Sequence, residues 1–252
     1  MDIRNRLDHE FSSQHTHDED NSDVLLKKYI KVAEGYADIE HVVAVLSDLK
    51  NHSSHIFYGR FAQLVSLDCM KCGGKVPSIW EQVILDAISP DDLELKMLHE
   101  LLFFHYIRTL PKRKRFDVSL YQRLRMRSRS GGYVDVLHRL YYIPDKEGSS
   151  VRFALCLYGP LPPAFSGDVM VVDNTTGAVD GLGKSSGSKI LSKQEIAVLR
   201  QIDSGQKSKE IAETLNISVH TVSRHRQNII AKLQVNNSVE ACKVARRLGL
   251  LV

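Results

Sequence analysis

Arg224, Arg226 and Lys232 stand in a stretch, Thr214 to Val239, that contains no Asp or Glu. Cationic and amide side chains without carboxylates among them suit phosphate, because contact releases counterions and nothing on the segment repels a polyanion. Helical spacing sorts this stretch into faces. His220, Ser223, Arg224 and Gln227 share one polar face, and Thr221, His225, Asn228 and Lys232 lie beside it. Val222, Ile229 and Leu233 form the apolar stripe that packs inward. Arg and Gln make paired hydrogen bonds to base edges, whereas Thr, His, Asn and Lys suit phosphate contacts that set register.

Such a helix needs neighbours to hold it, and the flanking residues supply the punctuation. Ser192 and Glu195 are spaced as a capping box, with Leu191 and Ile196 as its hydrophobic staple. Gly205 suits the left-handed end of that helix. A second helix is predicted from a Ser208 cap through Ile211, Ala212 and Leu215. Asn216-Ile217-Ser218 then makes a tight break, with Asn216 left-handed and Ser218 capping the third helix, which runs to about Leu233. Ser238 is expected to cap a fourth helix and Gly249 to end it. Two short helices across a tight turn, the second polar and basic, make a helix-turn-helix.

Residues 191–251 closely resemble the LuxR-type helix-turn-helix of bacterial transcription factors. The matching residues are Leu191, Ser192, Glu195, Leu199, Gly205, the run Lys209-Glu210-Ile211-Ala212, Leu215, Ile217-Ser218 and Thr221-Val222. The match continues through His225-Arg226, Asn228-Ile229, Lys232-Leu233, Ala241 and Gly249-Leu250. The resemblance implies an all-α, four-helix DNA-binding domain that reads bases through Ser223, Arg224 and Gln227. It places Lys209, Thr221, His225 and Lys232 on the DNA backbone and uses the last helix, Ser238 to Leu248, to pair two copies. The family often has Lys after the Thr-Val pair; Ser223 stands there instead, which leaves the operator sequence open.

The chain's 252 residues suit two domains. Its net charge of +4 is unevenly spread: Ile190 to Val252 holds ten Lys and Arg against five Asp and Glu, so that segment is +5 and the remainder −1. A basic excess in one domain is the electrostatic footprint of nucleic-acid binding. Met1-Asp2-Ile3-Arg4 leads into polar residues rather than a signal peptide. No apolar run approaches a membrane span, and four cysteines without a framework pattern fit a reducing cytoplasm.

Residues 1–23, with His15, His17 and Asp18-Glu19-Asp20, read as a flexible tail. Residues 174–189 are rich in Gly and Ser and read as a flexible linker. Between them, 24–173 is one α+β domain. A leading helix spans Val24 to Val32, a buried strand His41 to Ser47, and a second strand 55–58. A short helix follows through Phe61 and Leu64, then helices from Trp80 to Ala87 and Asp91 to Tyr106. Strands follow near 117–128, 133–143 and 150–158, with Gly131-Gly132 as the turn between the first two. This order, with Ile88-Ser89-Pro90-Asp91-Asp92 before a helix, resembles a PAS-like sensory domain: an antiparallel sheet with flanking helices. Such a resemblance implies a small-molecule sensor or a dimerisation module.

Other residues invite chemistry and are weighed on spacing. Cys69 and Cys72 are half of a zinc knuckle, but Cys156 and Cys242 lack paired spacing, so a loop with two thiols is expected. Arg123, Arg125, Arg127 and Arg129 alternate along one strand and are expected to form a solvated face paired with acids on neighbouring strands. Lys112-Arg113-Lys114-Arg115 is expected to be a solvated loop. His99 and His105 are six apart and do not share a helix face, which argues against joint haem ligation. No nucleophile elbow, phosphate-binding Gly loop or paired-carboxylate spacing is present.

The expectation is a dimeric, cytoplasmic, non-enzymatic regulator of transcription. Its partner is double-stranded DNA, with RNA polymerase and a small-molecule ligand of the N-terminal domain as further partners; no cofactor or metal is assigned. The alternatives are an enzyme or a ligand-free dimerisation scaffold fused to the DNA-binding domain.

Overall fold

The computed structural model describes residues 3–14, 22–67, 74–180, 191–233, 235–248 and 250–251. The chain divides into two compact units, Met1–Val179 and Asp180–Val252.

The N-terminal unit is built on an antiparallel sheet. Its strands are β1 (Val43–Asp48), β2 (Ser53–Tyr58), β3 (Gly74–Val76), β4 (Val118–Arg127), β5 (Tyr133–Pro144), β6 (Val151–Pro160), β7 (Val169–Asp173) and β8 (Val179–Asp180). They lie in the order β3-β2-β1-β6-β5-β4-β7-β8, so the first hairpin abuts the last strand of the β4-β5-β6 meander. The described helices are α1 (Ile3–Ser12), α2 (Ser22–Ile39), α3 (Gln82–Ala87) and α4 (Pro90–Thr109).

Both faces of the sheet's centre are covered, which explains why β1 is a continuous buried run rather than an alternating one. Val42, Ala44 and Leu46 point to one face, where Ala33 and Ala37 of α2 pack with Phe153, Leu155 and Leu157. Val43 and Val45 point to the other, against Phe61, Ile84 and Ile88 together with Leu124, Met126, Val136 and Tyr158. The β4–β5 turn has Gly131 and Gly132 at φ +97° and +71°, conformations that a side chain strains. Helix α4 starts where the sequence marks it: Ser89 Oγ accepts from the Asp92 N–H, Pro90 opens the helix, and Asp91 and Asp92 lie in its first turn.

Several expectations are corrected here. The supposed tail holds α1, whose Ile3, Leu7 and Phe11 form a short apolar stripe at helical spacing. Leu7 is buried, Phe11 meets Phe104 edge-on at 5.2 Å, and Asp8 accepts from the Trp80 indole N–H at 2.8 Å. Three apolar residues in a polar segment are too few to outweigh its composition in one dimension, yet enough to dock on α4. Residues 174–180 close the β7–β8 edge of the sheet through the Asp173-to-Gly177 turn rather than serving as linker. The rest of the expected linker falls in 181–190, and Cys69 and Cys72 fall in 68–73, outside the described residues. Strands β3, β7 and β8 were not expected.

The C-terminal unit is helical: α5 (Lys193–Asp203), α6 (Ser208–Leu215), α7 (Val219–Leu233) and α8 (Ser238–Arg247). Leu191, Val198, Leu199, Ile211, Val222, Ile229, Leu233, Ala241 and Ala245 are buried within it.

Candidate nucleic-acid interface and a buried polar cluster

Each helix of the C-terminal unit starts on a side-chain cap. Ser192 and Glu195 form the capping box of α5, with the Ser192 N–H donating to Glu195 Oε2 at 2.6 Å. Gly205, at φ +86°, ends α5 with paired bonds from Gly205 N–H to Ile202 and from Gln206 N–H to Gln201. The cap of α6 is Lys207, not Ser208: the Lys207 N–H donates to the Glu210 carboxylate at 2.7 Å. This frees the Ser208 hydroxyl, which accepts from Arg226 at 3.3 Å. Asn216 takes the left-handed conformation, φ 52°, as the turn requires. Ser218 Oγ then accepts from the Thr221 N–H at 3.0 Å and starts α7. The cap of α8 is Asn237, not Ser238: its amide oxygen accepts from the Glu240 N–H at 2.9 Å. Gly249 lies outside the described residues.

Three linking residues thus separate α6 from α7, and this geometry sets what α7 exposes. Val222, Ile229 and Leu233 are its buried face. His220, Ser223, Arg224, Gln227 and Asn228 are exposed, and Lys209 is exposed on α6. Thr221 and His225 are half-buried. The Ser223 hydroxyl turns back to the Val219 carbonyl at 3.1 Å, whereas the Arg224 and Gln227 side chains project from the helix. His225 Nδ1 is buried without a hydrogen-bond partner among the described residues.

Two of the basic residues of α7 also hold the unit together. Arg226 reaches Ser208 of α6. Lys232 donates to Glu195 Oε2 at 2.7 Å, and so ties the end of α7 to the start of α5. Burial alone would raise the Glu195 carboxyl, but Lys232 and the Ser192 N–H outweigh it and hold the group below its ordinary value. The i-spaced sequence pattern of α7 shows its faces but not this pairing, whose partners are 37 residues apart.

In the N-terminal unit the arginine row of β4 is paired with acids at two positions, one on the neighbouring strand as expected and one on a helix, which was not. Arg123 makes a two-pronged contact with Asp135 of β5, and Arg125 another with Asp92 at the start of α4. The interior beneath α4 holds a cluster of polar groups, of which only His99 was singled out from the sequence. Lys96, His99 and Glu100 are all buried on a helix otherwise packed by Leu98, Leu101, Leu102, Phe103, Phe104 and Ile107. Lys96 Nζ donates to Glu100 Oε1 at 2.7 Å. Burial would push the Lys96 ammonium down, but Glu100 beside it holds it above its ordinary value. His99 Nδ1 meets Gln122 Oε1 at 2.9 Å, and Gln122 Nε2 meets His138 Nδ1 at 2.8 Å. His138 is stacked on Tyr158 at 4.6 Å, and burial pushes its imidazole well below the ordinary histidine value. A cavity of about 40 Å³, lined among others by Ser47, Glu81, Lys96, Glu100, Tyr142 and Cys156, lies alongside. The available signal was a Lys and a Glu four apart on a helix apolar nearly all round: a charged pair there has no solvent face to occupy.

Residues 189–245 match the family described as bacterial regulatory proteins, luxR family. The C-terminal unit is therefore a LuxR-type helix-turn-helix domain. The uncharacterized response regulatory protein YgeK of Escherichia coli K12 is 42% identical over 60 residues, 24% of this chain and 41% of that protein. The Fimbriae Z protein of the same organism is 40% identical over 67 residues, 27% of this chain and 32% of that protein. The chain thus spans less than half the length of these curated relatives. Among solved structures, the Vibrio cholerae VqmA dimer is similar over 88% of both chains at 14% identity, with a TM-score of 0.31. Escherichia coli SdiA is similar over 99% of this chain and 98% of that one at 13% identity, with a TM-score of 0.27. No described helix is long and apolar enough to cross a membrane.

Proposed function

We propose that this chain is a dimeric, sequence-specific regulator of transcription: its C-terminal unit binds double-stranded DNA and its N-terminal unit is a PAS-like sensory domain. The observation that carries the reading is α7 itself, a carboxylate-free helix that exposes Arg224 and Gln227 from behind a three-residue turn in a LuxR-type domain. Placed in a major groove, Arg224 and Gln227, with Ser223 between helix backbone and base edge, read sequence. Lys209, Thr221, His225 and Lys232 hold phosphates, with Lys232 donating from its place beside Glu195. Two copies read two half-sites, so the operator has two-fold symmetry, and α8 pairs the DNA-binding units. RNA polymerase is the further partner if the regulator activates.

The sensory reading of the N-terminal unit is supported by its five central strands, β2-β1-β6-β5-β4, formed by an opening hairpin, intervening helices and a closing meander. It is also supported by an interior that buries Lys96, Glu100, His99 and His138 where a scaffold would bury apolar groups. The test is selection of bound sequences by the full chain from a pool of random duplexes. Enrichment of a two-fold related pair of half-sites, lost in Arg224→Ala, is the expected result. No enrichment over the starting pool overturns the reading.

A further inference from the structure

Three groups inside the N-terminal unit present metal-ligating atoms to one another. They come from three elements: Glu100 from α4, His138 from β5 and Cys156 from β6. A carboxylate oxygen of Glu100, a ring nitrogen of His138 and Cys156 Sγ all lie within 4.8 Å of one another. Glu100 Oε1 is 3.9 Å from His138 Nε2. Ligand atoms around a tetrahedral zinc ion stand roughly 3.3–3.8 Å apart, from bond lengths of about 2.0–2.3 Å. The cluster therefore needs only a small contraction to close on an ion.

The second observation is His138 Nε2. The residue is 0% exposed, and this nitrogen has no hydrogen-bond partner among the described residues. An unsatisfied buried polar atom costs about 1–3 kcal/mol. A metal ion removes that cost, provided Nε2 carries the lone pair and Nδ1 the proton. Gln122 allows this: rotating its amide by half a turn exchanges donor and acceptor. His138 Nδ1–H then donates to the amide oxygen, while the amide N–H donates to His99 Nδ1, across contacts of 2.8 and 2.9 Å. A histidine ligand oriented by a hydrogen bond at its other nitrogen is the usual arrangement at metal sites. The chain from His99 through Gln122 to His138 supplies it.

We propose that Glu100, His138 and Cys156 bind one zinc-class divalent transition-metal ion, with the adjoining cavity leaving its fourth position open to water or a small exchangeable ligand. The mixed thiolate, imidazole and carboxylate set selects zinc-class ions over magnesium and calcium, which take oxygen ligands. Charge closes as well. The ion displaces the Lys96 ammonium from Glu100, and Cys156 gives up its thiol proton to solvent. The thiolate and the Glu100 carboxylate then cancel the two charges of the ion. Lys96 turns to Glu81, its other acidic neighbour, which lines the same cavity. The cavity's volume of about 40 Å³ accommodates a bound water. An ion there ties α4 to the sheet. The inference deepens the sensory reading, because it names the chemical class of the signal, but the site stands without it.

Cobalt(II) tests the site, because a cobalt–thiolate bond gives a near-ultraviolet charge-transfer band. The full chain carries Cys69→Ser, Cys72→Ser and Cys242→Ser, so that Cys156 is the one thiol left of four. One equivalent of cobalt(II) is expected to give that band with the strong visible absorption of tetrahedral cobalt, and one equivalent of zinc is expected to bleach both. Adding Cys156→Ser, which changes one atom, abolishes the charge-transfer band while Trp80 emission reports an intact fold. Glu100→Gln lowers zinc affinity at least roughly tenfold, and Gln122→Ala, which removes only the orienting bond, lowers it about 10–100-fold. A chain with Cys156 as its sole thiol that shows no charge-transfer band overturns the site, as does a band that survives Cys156→Ser. Operator affinity measured with and without zinc addresses the sensory reading separately: metal binding that leaves DNA affinity unchanged sinks that reading and leaves the site in place.

Discussion

Glu195→Ala is the most informative single change in the C-terminal unit, because one buried carboxylate serves two connections. Glu195 is 3% exposed and accepts from the Ser192 N–H at 2.6 Å and from Lys232 at 2.7 Å. Losing the capping bond costs about 0.5–2 kcal/mol. The ion pair adds about 0–1 kcal/mol, since the Lys232 side chain is 44% exposed and remains solvated without its partner. The combined loss is about 0.5–3 kcal/mol, or roughly 2–24 °C in Tm for a domain of this size. Thermal melting of the fragment Asp180–Val252, followed by far-ultraviolet circular dichroism, measures it. The pH dependence gives an independent check. The folded carboxyl titrates below its unfolded value, so its contribution is complete above the ordinary carboxylate range, about 4.3, and is lost as pH falls through the depressed folded value. Glu195→Gln keeps the bond to Ser192 but cannot ionise. Wild type should be the more stable at pH 7, and the two should converge in acid. A loss in Glu195→Ala below about 0.5 kcal/mol, or parallel pH profiles for wild type and Glu195→Gln, refutes the idea that this carboxylate pins α7 to α5.

Further outcomes are expected. Arg224→Ala and Gln227→Ala should each cost about 1–3 kcal/mol at the selected operator and leave binding to random duplex unchanged, as read by fluorescence anisotropy; equal losses on both removes them from base reading. Lys209→Ala and Lys232→Ala should each flatten the log–log dependence of affinity on salt by about one unit, and an unchanged slope places the residue off the backbone. A fragment starting at Lys189 should bind the operator more weakly than the full chain at one salt concentration, because a paired N-terminal unit raises effective concentration. Tighter binding by the fragment would instead mean masking by the N-terminal unit. Asp8→Ala should shift the emission of Trp80, the chain's one tryptophan, to longer wavelength, since Asp8 holds its indole N–H at 2.8 Å. Unchanged emission would mean that α1 does not shield that ring.

Local features are legible in a sequence when the groups that matter are near neighbours along the chain. The C-terminal unit is of that kind. Its capping box, the left-handed Asn216, Gly205 and the apolar stripe of α7 all depend on contacts within four residues, and each lies where the spacing places it. Even there the caps of α6 and α8 moved by one residue: the Glu210 carboxylate takes the Lys207 N–H, and the Asn237 amide oxygen takes the Glu240 N–H. Helical spacing likewise determined that Ser223, Arg224 and Gln227 are solvent-facing, and alternation determined that Arg123 and Arg125 project from β4 together.

Only the tertiary structure decided the rest, and the reason in each case is sequence distance. Lys232 meets Glu195 across 37 residues, and Trp80 meets Asp8 across 72. The same holds for α1, whose three apolar residues acquire a partner only when α4 comes alongside. Glu100, His138 and Cys156 are individually unremarkable in the sequence, since no ligand spacing joins them. They converge because antiparallel β5 and β6 set Leu140 opposite Cys156, two residues from His138, and α4 covers that face with Lys96 and Glu100 pointing inward. Chain connectivity fixes periodicity, and periodicity fixes which face a residue occupies. Which other face it meets depends on how the sheet orders its strands, and that order is a property of the packed whole.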